Sequence, residues 1–210
     1  MFADRSDAGL KLAAELAVMG PWPDAIVLGI PRGGVVVAAQ VARALDLPLD
    51  VLAAAKVSSP TNPEFAIGAV APDGDVYANR SSGFSAGEVR AQAGPALAKV
   101  HHALSVFRAG RDPLHITGRE VLLIDDGLAT GLTALAAVEY LNRCDASRIV
   151  LAVPVAPQSA VDELEPHVDS LVVLEVAEGF SAVGQFYSVF GQTDDAEVIA
   201  LLAEAQSEPR

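Results

Sequence analysis

The chain is poor in several things whose absence narrows its chemistry. It holds one cysteine, Cys144, so no disulfide can close within it, and no second Cys or nearby His gives that thiol the spacing of a zinc site. A reducing, cytoplasmic setting is the expectation. Basic residues are scarce, with 14 Lys plus Arg against 27 Asp plus Glu and a net charge of −13. Such a surface repels nucleic-acid phosphates and anionic lipid headgroups, so neither partner is expected. No window approaches the ~18 consecutive uncharged apolar residues of a membrane span. Asp4, Arg5, Asp7 and Lys11 interrupt the start, where a secretion signal needs an apolar stretch. There is no G-x-G-x-x-G, and no lysine follows the glycine-rich loops as a Walker motif requires.

What is present is a core. Hydrophobic residues make up 51% of the 210 positions and charged ones 20%, the composition of a globular domain and not of a disordered chain. The expectation is a single domain over residues 1–210, with a hairpin and helical insertion at 76–119 and a hood-like loop and helix at 177–210.

Helical spacing of Leu10, Ala13, Ala14 and Ala17 behind a Ser6/Asp7 cap predicts a first helix, stopped by Gly20 to Pro23. The continuously apolar runs Ala25–Ile30 and Leu47–Ala54 read as strands covered on both faces, and the helical pattern from Val35 to Leu45 between them makes a βαβ unit. A hairpin from Phe65 to Ala78, turning at Asp73-Gly74, is expected as a sheet edge. Ser85 with Glu88 forms a capping box for a long helical stretch, and Gly94-Pro95 marks a kink or second start. From Glu120 strands and helices alternate again to about Val176. The fold class is therefore α/β, a three-layer, doubly wound, mostly parallel sheet of about five strands with helices on both faces.

The stretch from Glu120 to Val138 carries most of the chemistry. A buried strand ends in two carboxylates, Asp125 and Asp126, and the loop Gly127, Leu128, Ala129, Thr130, Gly131, Leu132 and Thr133 feeds a helix. In an open parallel sheet, ligands bind at the carboxyl ends of the strands. An isolated acid pair there is more often a helix cap. The glycines, the hydroxyls of Thr130 and Thr133, and the helix amides with their positive dipole end change that balance and form a site for a phosphate monoester. Carboxylates beside a phosphate nest suit a ligand bearing hydroxyls or a metal as well, such as a sugar phosphate.

LLIDDGLATGLT resembles the PRPP-binding motif of the type I phosphoribosyltransferases. The wider chain, through GIPRGG at Gly29 to Gly34, NPEFAIGAV at Asn62 to Val70 and FSAVGQFY at Phe180 to Tyr187, is similar to a bacterial group of phosphoribosyltransferase-domain proteins. The resemblance implies that Asp125 and Asp126 take the ribose hydroxyls and that Gly127 to Thr133 take the 5-phosphate. It places Pro31, Arg32, Gly33 and Gly34 against the pyrophosphate. Lys56, at the end of the second strand, would join them. Asp125, Asp126, Arg32 and Lys56 are the candidate catalytic set. The relatives often carry a basic residue just before this lysine, where Ala55 stands.

The implied reaction is Mg²⁺-dependent transfer of a 5-phosphoribosyl group from PRPP to a nitrogenous base or other small acceptor, with release of pyrophosphate. No metal site is read directly from the residues. Mg²⁺ would arrive with PRPP, with Asp125 and Asp126 as available oxygens. A mobile cover is expected from Ser58 to Glu64 or from the Ser81 to Arg119 insertion, where Arg80, Arg90, Lys99, Arg108 and Arg111 bring positive charge. Glu64 is either a cap or a contact to Mg²⁺. Phe180, Phe186 and Tyr187 offer rings that either stack a planar acceptor or pack a core. His101 and His102 point about 100° apart on a helix and do not make a metal face. Dimers are common in such families. The rival reading is a non-catalytic protein that senses PRPP or a nucleotide in the same crevice, and Ala55 tilts toward it.

Overall fold

The computed structural model describes residues 1–63 and 65–207. Its first helix, α1 (Arg5–Met19), opens earlier than the apolar spacing suggests. The cap is Asp4, whose carboxylate accepts the Asp7 amide at 2.8 Å, not Ser6 or Asp7. The βαβ unit follows as β1 (Ile26–Gly29), α2 (Gly33–Leu45) and β2 (Leu49–Val51), with Val27 opposite Leu49 in parallel register.

The chain then leaves this sheet. β3 (Ala55–Ser58), β4 (Ala66–Val70) and β5 (Val76–Ala78) form a separate antiparallel sheet. The hairpin about Asp73-Gly74 exists, but it is not an edge of the parallel sheet, and Lys56 belongs to β3 instead of ending the second parallel strand. A separate hydrophobic cluster accounts for the departure: Ala53, Val57, Ile67 and Val70 pack against Val89, Ala96 and Val100. The last three come from α3 (Ala86–Gln92) and α4 (Gly94–Arg108). Ser85 and Glu88 close the expected capping box, and Gly94-Pro95 starts a new helix instead of kinking the old one.

The alternating half is as expected: β6 (Glu120–Ile124), α5 (Leu132–Arg143), β7 (Arg148–Pro157), α6 (Gln158–Leu164), β8 (Ser170–Ala177) and α7 (Asp195–Ser207). The five parallel strands run in the order β2-β1-β6-β7-β8. Successive side chains alternate between faces. Val27, Leu122, Ile124 and Val150 therefore meet α1, α2 and α7, while Leu28, Leu123, Leu151 and Val153 meet α5 and α6. The order grows one way from β1 to β2 and the other way from β6 to β8, so the reversal lies between β1 and β6, where a crevice opens at the strands' carboxyl ends.

The insertion is tied to the edge of the sheet by a charge. Asp50, 6% exposed, accepts from Arg108 Nε at 3.2 Å and from the Leu114 amide at 3.1 Å, and Arg108 also donates to the Val51 carbonyl at 3.0 Å. Removing one partner of a buried pair strands the other without compensation. Asp50→Ala is expected to lower stability by about 3 kcal/mol, read as a reduced urea midpoint with an unchanged m-value.

Candidate active site

Two loops leave β1 and β6 side by side, because the strands pair in register with Gly29 opposite Ile124 and the Ile30 amide donates to the Ile124 carbonyl at 2.8 Å. The first, Pro31 to Gly34, turns directly into α2, and the Pro31–Arg32 peptide is cis. The second carries Asp125, Asp126 and the glycine-rich loop. They meet with almost no space between them. A Cβ on Gly34 would lie 2.8 Å from Asp125 Cα, and one on Gly33 would run into the Asp126 carboxylate and stand 2.7 Å from Arg5 Nε. The glycines are required here by close approach.

A cavity of about 140 Å³ is lined by Lys56, Asp125, the loop Gly127 to Thr133, and Val183. Gly131 begins α5 in the left-handed region, at φ 71°, and no side chain caps the helix. First-turn amides of a helix lack intrahelical partners, and the first-turn residues Leu132, Thr133 and Ala134 line this cavity together with Thr130. Leu128 is set apart from that task, since its amide donates to the Val155 carbonyl at 2.9 Å. The small sheet roofs the helix start, with Ala69 of β4 packed on Leu132 and Ala136. That packing brings Lys56, on the neighbouring strand, to the loop Gly127 to Thr133.

Arg32 lies elsewhere. It pairs with Asp195 at 3.3 Å, and both line a larger cavity, about 600 Å³, with Pro31, Ala55, Lys99 and His102. Ala55 and Lys56 are successive residues of one strand and face opposite ways, so β3 forms a wall between the two spaces. Of the expected set, the structure gathers Lys56, Asp125 and the loop Gly127 to Thr133 at one cavity, and Pro31 and Arg32 at the other.

Asp126 is turned away from the smaller cavity. Its Oδ2 accepts from Arg5 Nε at 2.7 Å, and its backbone carbonyl accepts from the Tyr187 hydroxyl at 2.6 Å. Burial, with the Asp126 charge second, pushes the Asp125 carboxyl well above the usual carboxylate range. Burial also raises the Tyr187 phenol. That ring is 6% exposed and lies between Phe2 and Phe190, with centroids 5.4 and 5.0 Å away, so it packs a core. Phe180 and Phe186 stack on each other at 5.6 Å and remain partly exposed. Of the cationic residues expected in a cover, Arg108 and Arg111 are committed to structural bonds, Arg111 donating to the Phe107 and Leu202 carbonyls. Arg90 pairs with Asp75. Glu64 lies outside the described residues.

Among the described residues no group of three or more His, Cys, Asp or Glu side chains stands ready for a metal. Mg²⁺ characteristically takes one or two carboxylates and completes its shell with substrate phosphates and water. The single carboxylate of Asp125, a residue lining the smaller cavity, would suit an ion brought by a phosphorylated ligand.

The family model of the phosphoribosyl transferase domain matches residues 7–187. Two Mycobacterium tuberculosis proteins, from strains CDC 1551 and H37Rv and named provisionally as phosphoribosyl transferases, are 41% identical over 209 residues. The match takes in 98% of this chain and 47% of each of theirs. The chain thus spans about half the length of these curated relatives. The crystal structure of TT1426 from Thermus thermophilus is 39% identical, with a TM-score of 0.83 over 97% of this chain and 98% of that one. A hypothetical protein from Neisseria gonorrhoeae, solved with bound ppGpp, shares the fold at 15% identity and a TM-score of 0.51, over 95% and 92% of the two chains.

Sequence reasoning missed Arg5, Val183 and Asp195. Each reaches the site from a distant segment, Arg5 from 121 residues before Asp126, and no local pattern marks such a meeting. The raised Asp125 carboxyl has a testable consequence. The folded state holds that proton more tightly than the unfolded state, so Asp125 detracts from stability above the unfolded value of about 3.9, and the loss grows as pH rises toward the folded value. Asp125→Asn is expected to be more stable than the parent at pH 7, with the gain shrinking toward pH 4, as measured by urea midpoints across that range.

Proposed function

The chain belongs to the phosphoribosyl transferase domain family, and on that premise we propose that it transfers a 5-phosphoribosyl group from PRPP to a nitrogenous base or other small acceptor. The observation that carries this reading is the single cavity shared by Asp125, Lys56 and the uncapped start of α5. It joins a carboxylate for sugar hydroxyls to amides and a cation for a phosphate monoester.

In this reading the α5 amides, Thr130 and Thr133 hold the 5-phosphate, and Lys56 supplies a mobile positive charge above it. The acidic pair accepts the ribose hydroxyls and fixes the sugar. Pro31 to Gly34 face the pyrophosphate, whose oxygens suit the guanidinium of Arg32. Mg²⁺ bound to the pyrophosphate, with Asp125 as its protein oxygen, would neutralise the departing charge. The chain's own groups hold the sugar in place while C1 takes on oxocarbenium character. The hood and the β3–β4 segment exclude water, since hydrolysis would waste the donor. The acceptor is proposed to meet the partly exposed Phe180–Phe186 pair, the part of the hood that still offers a ring face.

A second reading keeps the ligand and drops the transfer. Arg32 pairs with Asp195, and Ala55 brings no cation to their shared cavity, where Lys99 is the further basic residue. The ppGpp held by the Neisseria gonorrhoeae protein belongs to that protein, and it makes a useful competitor.

Incubation with PRPP, Mg²⁺ and a panel of bases should release pyrophosphate with at least one base. Calorimetric binding of PRPP with no release across the panel, and displacement by ppGpp, would establish the sensing reading instead. Lys56→Ala should weaken binding of ribose 5-phosphate by roughly tenfold, as expected for loss of a hydrogen bond to a charged group. Ala55→Arg adds a cation to the cavity that holds Arg32 and should tighten pyrophosphate binding while leaving ribose 5-phosphate affinity unchanged. Equal gains for both ligands would count against the separation of the two spaces.

A further inference from the structure

We propose that the cavity of about 440 Å³ between the parallel sheet, α4 and the end of α5 is a second ligand site. Its occupant is an uncharged aromatic lactam, a flat ring with a carbonyl beside an N–H. The site stands apart from the one proposed for PRPP, since α5 begins at the smaller cavity and ends, at Cys144, at this one. It holds or fails independently of the phosphoribosyl reading.

The volume lies in the range of small-molecule pockets, about 300–1,000 Å³. The floor is the sheet, where Leu28 and Leu52 are each 2% exposed. The outer wall is the irregular segment 113–117, held by a bond near each end. The Leu114 amide donates to Asp50 Oδ2 at 3.1 Å, and the Thr117 hydroxyl donates to the Cys144 carbonyl at 2.9 Å. Leu114 and Ile116 of this strap pack on the same core as Leu28 and Leu52. Apolar side chains on both sides suit a flat, mostly apolar body.

The polar groups narrow the class. Arg108 spends Nε and Nη2 on the Asp50 carboxylate and the Val51 carbonyl, and its Nη1 makes no bond among the described residues. None of their buried side-chain nitrogens or oxygens lacks a partner, so Nη1 is accessible and free to donate. Tyr140 adds a hydroxyl to the lining. Burial first, then the hydrogen bond it shares with the Cys144 thiol, pushes that phenol up to about 12, so it stays neutral. A hydrocarbon occupant would strip water from Nη1 and the phenol and return no hydrogen bond. A carboxylate would meet a guanidinium whose charge Asp50 already balances, and would bring a second negative charge beside a carboxylate that is 6% exposed. A lactam avoids both faults. Its carbonyl accepts from Arg108 Nη1, its N–H donates to the Tyr140 oxygen, and it brings no net charge.

The chain supplies its own reporter. Cys144 lines this cavity and is the sequence's one thiol, so its alkylation by iodoacetamide, followed by mass spectrometry on the full chain, reads this space. The probe is 2-pyridone, with benzoate and toluene as the charged and the apolar ring of similar size. Saturating 2-pyridone should slow alkylation, and the half-maximal concentration should be about tenfold lower than for either comparator, the worth of one hydrogen bond to a charged group. Ribose 5-phosphate should leave the rate unchanged. Tyr140→Phe should raise the 2-pyridone midpoint a few-fold. Ile116→Trp, which fills the space from the strap, should abolish both the protection and the calorimetric signal of 2-pyridone, with the urea midpoint confirming that the variant is folded. The assignment is overturned if benzoate or toluene protects as well as 2-pyridone, if Tyr140→Phe and Ile116→Trp both keep parental protection, or if ribose 5-phosphate protects equally. It is overturned too if 2-pyridone gives no calorimetric signal with the parent, or binds it without slowing alkylation. None of these results bears on PRPP at the smaller cavity, which pyrophosphate release tests separately.

Discussion

The site depends on one steric constraint, the contact between the first turn of α2 and the acidic pair after β6. Neighbouring parallel strands lie about 4.7–4.9 Å apart, so loops leaving β1 and β6 at the same level must either diverge or interlock. Here they interlock. Gly33 and Gly34 present only backbone to Asp125 and Asp126, and the register of Gly29 with Ile124 sets the level at which they meet. A one-residue slip in that pairing would turn each strand's core face toward the wrong layer of helices. The buried alternation of Leu122 and Leu123 between the two cores forbids it. Core packing thus determines where the two carboxylates stand.

The acidic surface and an anionic ligand would pull in opposite directions. A net charge of −13 opposes an anionic ligand at long range, yet its effect fades beyond a Debye length of ~8 Å at physiological salt. Inside that distance Lys56, Arg32 and the start of α5 act with little screening. The same interior that favours those donors penalises Asp125, whose carboxyl resists ionising in the folded protein. Functional sites often carry such a stability cost, and on the proposed reading it would fall on one residue.

The segments legible from sequence were those whose local pattern admits one solution. The unbroken apolar runs before Gly29 and Asp125 are buried parallel strands. Ser85 and Glu88 form their capping box, and the small-residue loop after Asp126 opens α5 as its composition demands. The reading went astray where a long-range choice decided. Leu47 to Ala54 looks like one strand, but the cluster that recruits Ala53 and Val57 ends it at Val51 and turns the next residues into another sheet. That choice carried Lys56 to the loop Gly127 to Thr133 and left Arg32 in a different space. Tyr187 shows the complementary limit: an aromatic near a site reads equally as a stacking surface or as core, and only its partners, Phe2 and the Asp126 carbonyl, decide.

The far edge of the parallel sheet has a consequence of its own. β8 is the terminal strand, and Leu171 to Leu174 are only partly covered, with Glu175 as the strand's one charge. A terminal strand offers a row of backbone donors and acceptors to any other extended chain. Proteins commonly guard such a row with prolines, bulges or lysines, and β8 contains neither proline nor lysine. One barrier to joining along it is colloidal: molecules that each carry a net charge of −13 repel before their edges meet. Concentrated salt, which shortens the Debye length to ~3 Å at 1 M, weakens that barrier.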